Sequence, residues 1–246
     1  MQLRIEQSLQ RANTELARGD NNEAAVSFST AARKCMDRAR IGDWETAIKW
    51  LERSIGPRQT AIELYRQVGR PIDVARDHSF LGKAFSRLGV MKNEHGLLAC
   101  ALLERTMAMV LFRKLNLVGQ QAKELSYLAE DFRARGWQET EPKLRRDFYL
   151  KSVGYSERAL ALYPRFFMGE ELAARKLQEE GFIAQAKGYA ALCERDREEV
   201  RKARNLCRSL ADRLAKSGSD YQSQRLIELA KYLDKYWFFL IFGASP

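Results

Sequence analysis

The chain has 246 residues, of which 46% are hydrophobic and 30% are charged. This composition is typical of a globular protein and excludes both a disordered chain and a bundle of membrane-spanning helices. The formal net charge is +10, and because the basic residues are spread along the whole chain, they give only a weak indication of an anionic partner.

A series of helices is predicted from apolar residues at helical spacing, interrupted by glycine and proline. The chain has only five prolines, and its long segments are rich in the strong helix formers Ala, Leu, Arg, Glu and Lys. In chain order, the predicted helices cover residues 2–18, 22–40, 43–55, 58–68, 72–88, 93–116, 119–135, 143–162, 166–190, 191–216 and 220–241. Asp20 and Asp43 are the predicted N-caps of the helices that follow them.

Two segments near the middle of the chain repeat one pattern of small and aromatic residues. They read Leu81-Gly82-x-x-Phe85-x-x-x-Gly89 and Leu128-Ala129-x-x-Phe132-x-x-x-Gly136. The small residue after leucine predicts close packing of a neighbouring helix, and the last glycine predicts a helix end in the left-handed conformation. Such repetition predicts a stacked array of helix pairs, with units at 1–40, 43–69, 71–116 and 119–164.

A second pattern marks the other helix of each pair, with a small residue followed by an aromatic residue one turn later. It reads Ala24-x-x-x-Phe28-x-x-Ala31 and Ala61-x-x-x-Tyr65-x-x-Val68. Together, the two patterns resemble the tetratricopeptide repeat family over residues 1–164. The stretch from Ala61 to Gly89 is also similar to the related repeats of soluble NSF attachment proteins. The resemblance implies an all-α solenoid of antiparallel helix pairs that binds other macromolecules.

Residues 165–246 lack these patterns and are predicted to form a C-terminal helical cap over the last repeat. Their heptad-like apolar stripe consists of Val200, Ala203, Cys207, Leu210 and Leu214. Nearby, Arg197, Arg201, Arg204 and Arg208 share one helix face. Phosphates would suit that face, but the acidic residues among the arginines favour a self-paired, solvated surface.

In tetratricopeptide arrays, the first helix of each pair lines a concave groove. The resemblance places a set of mostly basic residues there, with Gly56 taken as the turn glycine of the second pair: Trp50, Arg53, Arg76, Lys83, Arg87, Lys123 and Arg133. Such a groove would suit a protein partner with an acidic segment. The alternative is that these residues occupy ordinary exposed helix positions, where Arg and Lys are common.

The sequence contains no motif typical of catalysis, phosphate binding or metal binding. The chain is therefore predicted to be neither an enzyme nor a cofactor or metal protein. The four cysteines lack metal-ligand spacing and favour a reducing compartment such as the cytoplasm. No secretory signal and no membrane-spanning segment are expected.

The most apolar stretch runs from Tyr236 to Phe242. The predicted contact residues in this tail are Tyr236, Trp237, Phe238, Phe239 and Phe242. They are expected to be buried, either in the chain's own core or in a partner. The favoured function is a non-catalytic adaptor. The alternative is a structural or accessory subunit of a large complex, including one that contains RNA, held by its basic surface and this tail.

Overall fold

The computed structural model describes residues 2–218 and 220–242, with side chains over 3–218 and 223–236. Within these residues the chain forms ten α-helices, one short 3₁₀ turn at Tyr163–Arg165 and no strand. The helices are α1 (Gln2–Ala17), α2 (Asn21–Arg38), α3 (Trp44–Gln67), α4 (Pro71–Lys92), α5 (His95–Lys114), α6 (Val118–Gln138), α7 (Pro142–Leu162), α8 (Gly169–Glu194), α9 (Arg197–Lys216) and α10 (Asp220–Phe242).

The chain divides into two compact units, a first unit over Met1–Glu124 and a second over Leu125–Pro246, with the boundary inside α6. In the first unit, consecutive helices from α1 to α5 pack against each other. In the second unit, consecutive helices from α7 to α10 do the same. Short connections between packed neighbours make them antiparallel pairs. The predicted all-α fold of packed helix pairs is therefore confirmed, whereas the predicted domain boundary at 164/165 stays a prediction.

One predicted turn is wrong. The segments 43–55 and 58–68 form the single helix α3, which continues through Gly56 and Pro57. An interior proline removes one backbone hydrogen bond, but side chains on both sides of it are buried, among them Leu51 and Ile62. Tertiary packing therefore holds the helix together across the proline. No separate helix pair exists at 43–69, and α3 packs against α2 and α4.

The predicted role of the two closing glycines is also wrong. Gly89 lies inside α4 and Gly136 lies inside α6. The left-handed residue that ends α4 is Asn93, with φ of 54°. A Cβ on Gly89 would lie 2.9 Å from the backbone nitrogen of Leu98. A Cβ on Gly136 would lie equally close to a ring carbon of Tyr149, at 2.9 Å. Both glycines are therefore needed for close helix packing and not for a helix end.

The close approach predicted at Gly82 is confirmed. A Cβ there would lie 2.7 Å from Arg105 Cγ and 3.3 Å from the carbonyl oxygen of Ala101, both on α5. The two predicted N-caps are confirmed as well. Asp20 accepts a hydrogen bond from the Glu23 amide at 3.1 Å, and Asp43 accepts one from the Thr46 amide at 2.7 Å.

The core of the second unit contains the predicted apolar stripe of α9. All five of its residues are buried, and they pack with leucines of α8 and α10 such as Leu177 and Leu229. Each fully buried leucine contributes about 1.5–3 kcal/mol relative to an exposed one. The predicted break between 190 and 191 is wrong, because α8 continues to Glu194 and ends at Arg195 with φ of 56°.

Among the described helices, α5 alone is long and apolar enough to cross a membrane by length and composition. A helix in the core of a globular domain passes the same test, so a single such helix is weak support for a membrane segment. Of its apolar window, 33% is buried within the protein. The helix also carries Arg105, which is buried and pairs with Glu124.

Candidate functional site

Two buried ion pairs in the first unit occupy equivalent places in the sequence repeat. Arg58 of α3 pairs with Asp77 of α4, and Arg105 of α5 pairs with Glu124 of α6 at 3.5 Å. In each pair the acid follows the arginine by 19 residues. The second pair follows the first by 47 residues, which is also the spacing from Gly82 to Ala129. The structure therefore repeats the helix pair α3–α4 as α5–α6.

Each of these acids also accepts a hydrogen bond from a serine on another even-numbered helix. Ser29 of α2 donates to Asp77 at 3.0 Å, and Ser79 of α4 donates to Glu124 of α6. These bonds join α2 to α4 and α4 to the start of α6. In the first unit, the even-numbered helices therefore lie side by side in one row.

The second unit contains a related acid, Glu179 of α8, which is 1% exposed. It accepts hydrogen bonds from the hydroxyls of Ser126 at 2.8 Å, Ser156 at 2.6 Å and Tyr163 at 3.0 Å. Burial raises the pKa of Tyr163, and the neighbouring Glu179 charge raises it further. A buried carboxylate needs such donors to offset its lost hydration. Glu179 is therefore satisfied by the fold itself.

Three of the predicted groove residues lie on α4. Arg76, Lys83 and Arg87 are separated by seven and four residues, so they share one helix face with Phe80. Arg76 contacts Asp73 at 3.5 Å. Phe80 is 39% exposed, and the buried guanidinium of Arg58 lies 4.8 Å from its ring centroid. We call the four residues Arg76, Phe80, Lys83 and Arg87 the α4 face.

Arg87 also has a structural contact. Its Nη2 donates to the carbonyl oxygen of Ala39 at 3.1 Å, beyond the end of α2. Burial lowers the pKa of Arg87, and the positive charge of Arg40 lowers it further. The end of α2 therefore adds positive potential beside the α4 face. Lys123, also predicted in the groove, is exposed on α6 within the same unit.

The position assigned to Trp50 and Arg53 requires correction, because it took Gly56 as a turn glycine and Gly56 lies inside α3. Arg53 pairs with Glu6 of α1, and its guanidinium lies 5.2 Å from the Trp50 ring centroid. These two residues therefore belong to an odd-numbered helix and contact α1. They are not on the row of even-numbered helices that carries the α4 face.

Arg133 is the predicted groove residue that falls in the second unit. Its guanidinium lies 4.4 Å from the Phe182 ring centroid, and no hydrogen-bond partner for its Nη1 is present among the described residues. Burial lowers the pKa of Arg133, while the nearby carboxylates of Glu130 and Glu179 raise it. Arg133 lines a small cavity of about 250 Å³, together with Gln185 and Arg225.

A larger cavity of about 750 Å³ lies between α6, α7, α8 and α10 of the second unit. We call it the arginine–aromatic cavity. Its charged residues are Arg145, Arg195, Arg225 and Glu228. Its aromatic residues are Trp137, Tyr149, Tyr189, Tyr232 and Tyr236. Tyr189 connects two of them, stacking on Tyr149 at 5.2 Å and meeting Trp137 edge-on at 5.6 Å.

The predicted aromatic tail is described only in part. Tyr236 is half-buried, packs against the core of the second unit and donates its hydroxyl to the Leu192 carbonyl at 3.4 Å. The side chains of Trp237, Phe238, Phe239 and Phe242 lie outside the described residues. Among these tail residues, the structure therefore describes the contacts of Tyr236 alone, which packs against the chain's own core.

The basic face of α9 is paired within the second unit, but the interspersed acids account only for Arg201, because the partner of Arg204 and Arg208 lies on α10. Arg201 pairs with Glu198 at 2.9 Å, and Arg204 pairs with Asp234 at 3.1 Å. Arg208 pairs with the same aspartate. No group of acids, histidines and cysteines that could hold a metal ion is present in the part of the chain that the structure describes.

Sequence reasoning missed the arginine–aromatic cavity entirely. Its arginines come from the first turn of α7, the residue that follows α8 and the second turn of α10. No local spacing connects residues that are this far apart in the chain. The only signal available was the high density of aromatic residues from Trp137 onward, and this is also typical of a helical core.

No protein-family model and no curated protein matches this chain. Among solved structures, it is similar to a circular tandem repeat protein with novel repeat topology, at 14% identity and a TM-score of 0.42. It is also similar to the apo form of RapI, at 11% identity and a TM-score of 0.36. A third is a de novo designed helical repeat protein, at 17% identity and a TM-score of 0.27.

The matches cover 96%, 95% and 90% of this chain, respectively. In turn, the chain spans 63% of the first protein, 84% of the second and 98% of the third. The TM-scores all lie below 0.5, so these similarities carry no argument. The description of the chain as a helical repeat therefore depends on its own packing and on the 47-residue repetition.

Proposed function

We propose that this chain is a tetratricopeptide-like, non-catalytic adaptor that binds an acidic segment of a partner protein. The α4 face carries the proposal. It presents Arg76, Lys83 and Arg87 along one side of one helix, with the ring of Phe80 among them. Carboxylates bind arginine and lysine through charge-assisted hydrogen bonds, and the exposed ring offers apolar contact. A negatively charged peptide with an apolar residue would match both features.

The surroundings of the α4 face favour an anion. Positive charges of Arg33 and Arg40 from the neighbouring α2 segment act on Arg58 and Arg87, respectively, and lower their pKa values in addition to burial. Asp77, the acid closest to Phe80 in sequence, is buried and paired with Arg58. Asp73 pairs with Arg76, but the three cations of the face outnumber it. A net positive face raises association rates and affinity for acidic segments.

The proposal places the protein in a reducing compartment, which the four free cysteines support. The similarity to soluble NSF attachment proteins stays a prediction. The α9 arginines are excluded from the proposed site, because Arg201, Arg204 and Arg208 pair with carboxylates and α9 has no aromatic residue beside them.

The test uses the full chain and an array of acidic peptides, printed beside the same peptides with Glu→Gln and Asp→Asn exchanges. We expect binding to the acidic peptides only, with at least a tenfold loss in the double variant Arg76→Glu/Lys83→Glu. The matched control is Arg4→Glu/Lys49→Glu, which makes the same change of charge on exposed positions of α1 and α3. This control should bind as the unmodified chain does.

Circular dichroism of the variants checks that they fold, since both substituted residues of the α4 face are at least partly exposed. Equal losses in the two double variants would mean that net charge, and not the α4 face, governs binding. Equal binding of acidic and neutralised peptides would contradict the proposed preference for an acidic segment.

A further inference from the structure

The arginine–aromatic cavity has the size and the lining of a small-molecule site. Its volume of about 750 Å³ falls within the 300–1,000 Å³ that ligand pockets typically have. It is formed entirely by residues of the second unit, so it is separate from the α4 face. Its lining combines ring surfaces with a few polar groups, which is the usual composition of a specific ligand pocket.

The charged groups that line this cavity are accessible from solvent. Arg195 and Arg225 are exposed and Arg145 is half-buried. Arg145 is held in place because its Nε donates to the Glu139 carbonyl at 2.7 Å. With three arginines and the single acid Glu228, the lining is cationic. Guanidinium groups favour phosphate and carboxylate.

The aromatic groups supply flat surfaces next to these cations. Trp137 is 69% exposed although it contacts Tyr189, and Tyr232 is also exposed. Exposed Trp and Tyr rings beside a cavity offer faces on which a planar ring of a ligand can stack, and such stacking stabilises bound bases.

Gln185 supplies an independent sign of a ligand. It is only 5% exposed and lines both cavities of the second unit, yet no partner for its Oε1 is present among the described residues. A buried polar atom without a partner is costly, and such atoms are rare in native proteins. A ligand that placed an N–H group at this depth would satisfy it, much as glutamine side chains pair with the polar edge of adenine.

We propose that the arginine–aromatic cavity binds a nucleoside phosphate. The base stacks on Trp137 and presents its polar edge to Gln185, while the phosphate lies at the open side and is held by Arg145, Arg195 and Arg225. This site goes beyond the adaptor function and does not depend on it. Bound nucleotide would also join α6, α7, α8 and α10, and so stabilise the second unit.

Isothermal titration calorimetry on the full chain tests the site with adenosine, guanosine, cytidine and uridine 5′-monophosphates. We expect at least one of them to bind with a Kd below about 100 µM. Its nucleoside and ribose 5-phosphate should each bind at least tenfold more weakly, because each lacks one of the two recognised groups. Failure of all four, or ribose 5-phosphate binding as tightly as the nucleotide, would overturn the proposal.

Two variants locate the ligand. Arg195→Asn removes a cation and keeps a residue that tolerates the left-handed backbone at that position, and it should weaken nucleotide binding at least fivefold without weakening nucleoside binding. Gln185→Met keeps the shape of the side chain and removes the unpartnered oxygen. It should weaken nucleotide binding at least fivefold while leaving the melting temperature equal or higher.

The matched control is Lys187→Gln, on the same helix as Gln185 but outside the cavity lining. It should leave nucleotide binding unchanged. If Arg195→Asn and Gln185→Met both bind nucleotide as the unmodified chain does, the ligand lies elsewhere and the proposal is overturned. Acidic-peptide binding should be unchanged in both cavity variants, so failure here is distinguishable from failure of the adaptor proposal.

Discussion

Ser79 of α4 donates a hydrogen bond to Glu124 of α6, two helices further along the chain. Ser29 of α2 makes the corresponding bond to Asp77 of α4 at 3.0 Å. Each acid therefore receives a hydroxyl from the previous even-numbered helix and a guanidinium from the odd-numbered helix between them. Because a carboxylate with both partners fixes two neighbouring helices at once, the pair of bonds sets the register of the array.

The small residue of the first pattern lies next to the second ion pair. Gly82 and Ala129 lie five residues after the acids Asp77 and Glu124, respectively. A Cβ on Gly82 would meet the Cγ of Arg105, which pairs with Glu124 and not with Asp77. Gly82 therefore leaves room for the arginine of the following ion pair.

The first prediction concerns Gly82. Gly82→Ala places a methyl group 2.7 Å from Arg105 Cγ, and Arg105 is held by Glu124, so it cannot move away without losing that pair. We expect the free energy of unfolding, measured in urea, to fall by about 1–3 kcal/mol, as overpacking does elsewhere.

Gly154→Ala is the matched control for this substitution. Gly154 also lies inside a helix, but no atom of another helix lies within 4 Å of a Cβ built there. Alanine should raise the free energy of unfolding by about 0.5–1 kcal/mol, because it restricts the unfolded chain more than glycine does. A stabilised Gly82→Ala variant would mean that α4 and α5 are further apart than the structure has them.

Local backbone chemistry made much of the fold predictable from the sequence. The N-caps Asp20 and Asp43 were identified correctly, because a capping carboxylate acts on amides within three residues. The roles of Gly89 and Gly136 were predicted incorrectly, because a residue without a side chain suits both a helix end and a close contact between helices. These two roles are distinguished only by the positions of Leu98 and Tyr149, which are set by tertiary packing.

The two candidate sites also differ in how well the sequence alone predicts them. Arg76, Lys83 and Arg87 share a face because of helical spacing alone, so the sequence places them together. Arg145, Arg195 and Arg225 meet only after three helices have packed, and no periodicity connects them. The Gly56-Pro57 pair predicts a turn that is absent for a related reason, since its local preference for a turn is outweighed by the buried residues on both sides.

The second prediction tests the continuity of α3. Pro57→Ala restores a backbone N–H in the middle of the helix and removes the proline's clash with the preceding turn. We expect urea unfolding to show a gain of about 1–3 kcal/mol, after allowing for the lost rigidity of proline in the unfolded chain. Pro71→Ala is the control, because Pro71 occupies the first turn of α4, where its missing N–H costs nothing. Destabilisation by Pro57→Ala would favour a turn at this position.

The third prediction concerns the buried pair of Arg58 and Asp77. Asp77→Leu leaves the guanidinium of Arg58 buried without its counter-charge, and we expect a loss of about 3–5 kcal/mol in the free energy of unfolding. The double variant Arg58→Met/Asp77→Leu removes both charges and should recover most of that loss. Urea unfolding of Asp77→Leu, of Arg58→Met and of the double variant gives the coupling energy. Equal and additive losses would mean that the two side chains do not interact.

The fourth prediction concerns pH and the thiol of Cys207. Burial among apolar residues raises its pKa from 9.0 to about 12. Above pH 9 the unfolded chain loses this proton while the folded chain keeps it, so stability falls as pH rises from 9 toward 12. Cys207→Ala lacks this effect. Its deficit in unfolding free energy relative to the unmodified chain should therefore shrink by about 1.4 kcal/mol for each pH unit above 9. Urea titrations at pH 7, 8, 9 and 10 measure this, and a deficit that stays constant would show that the folded thiol is not shielded.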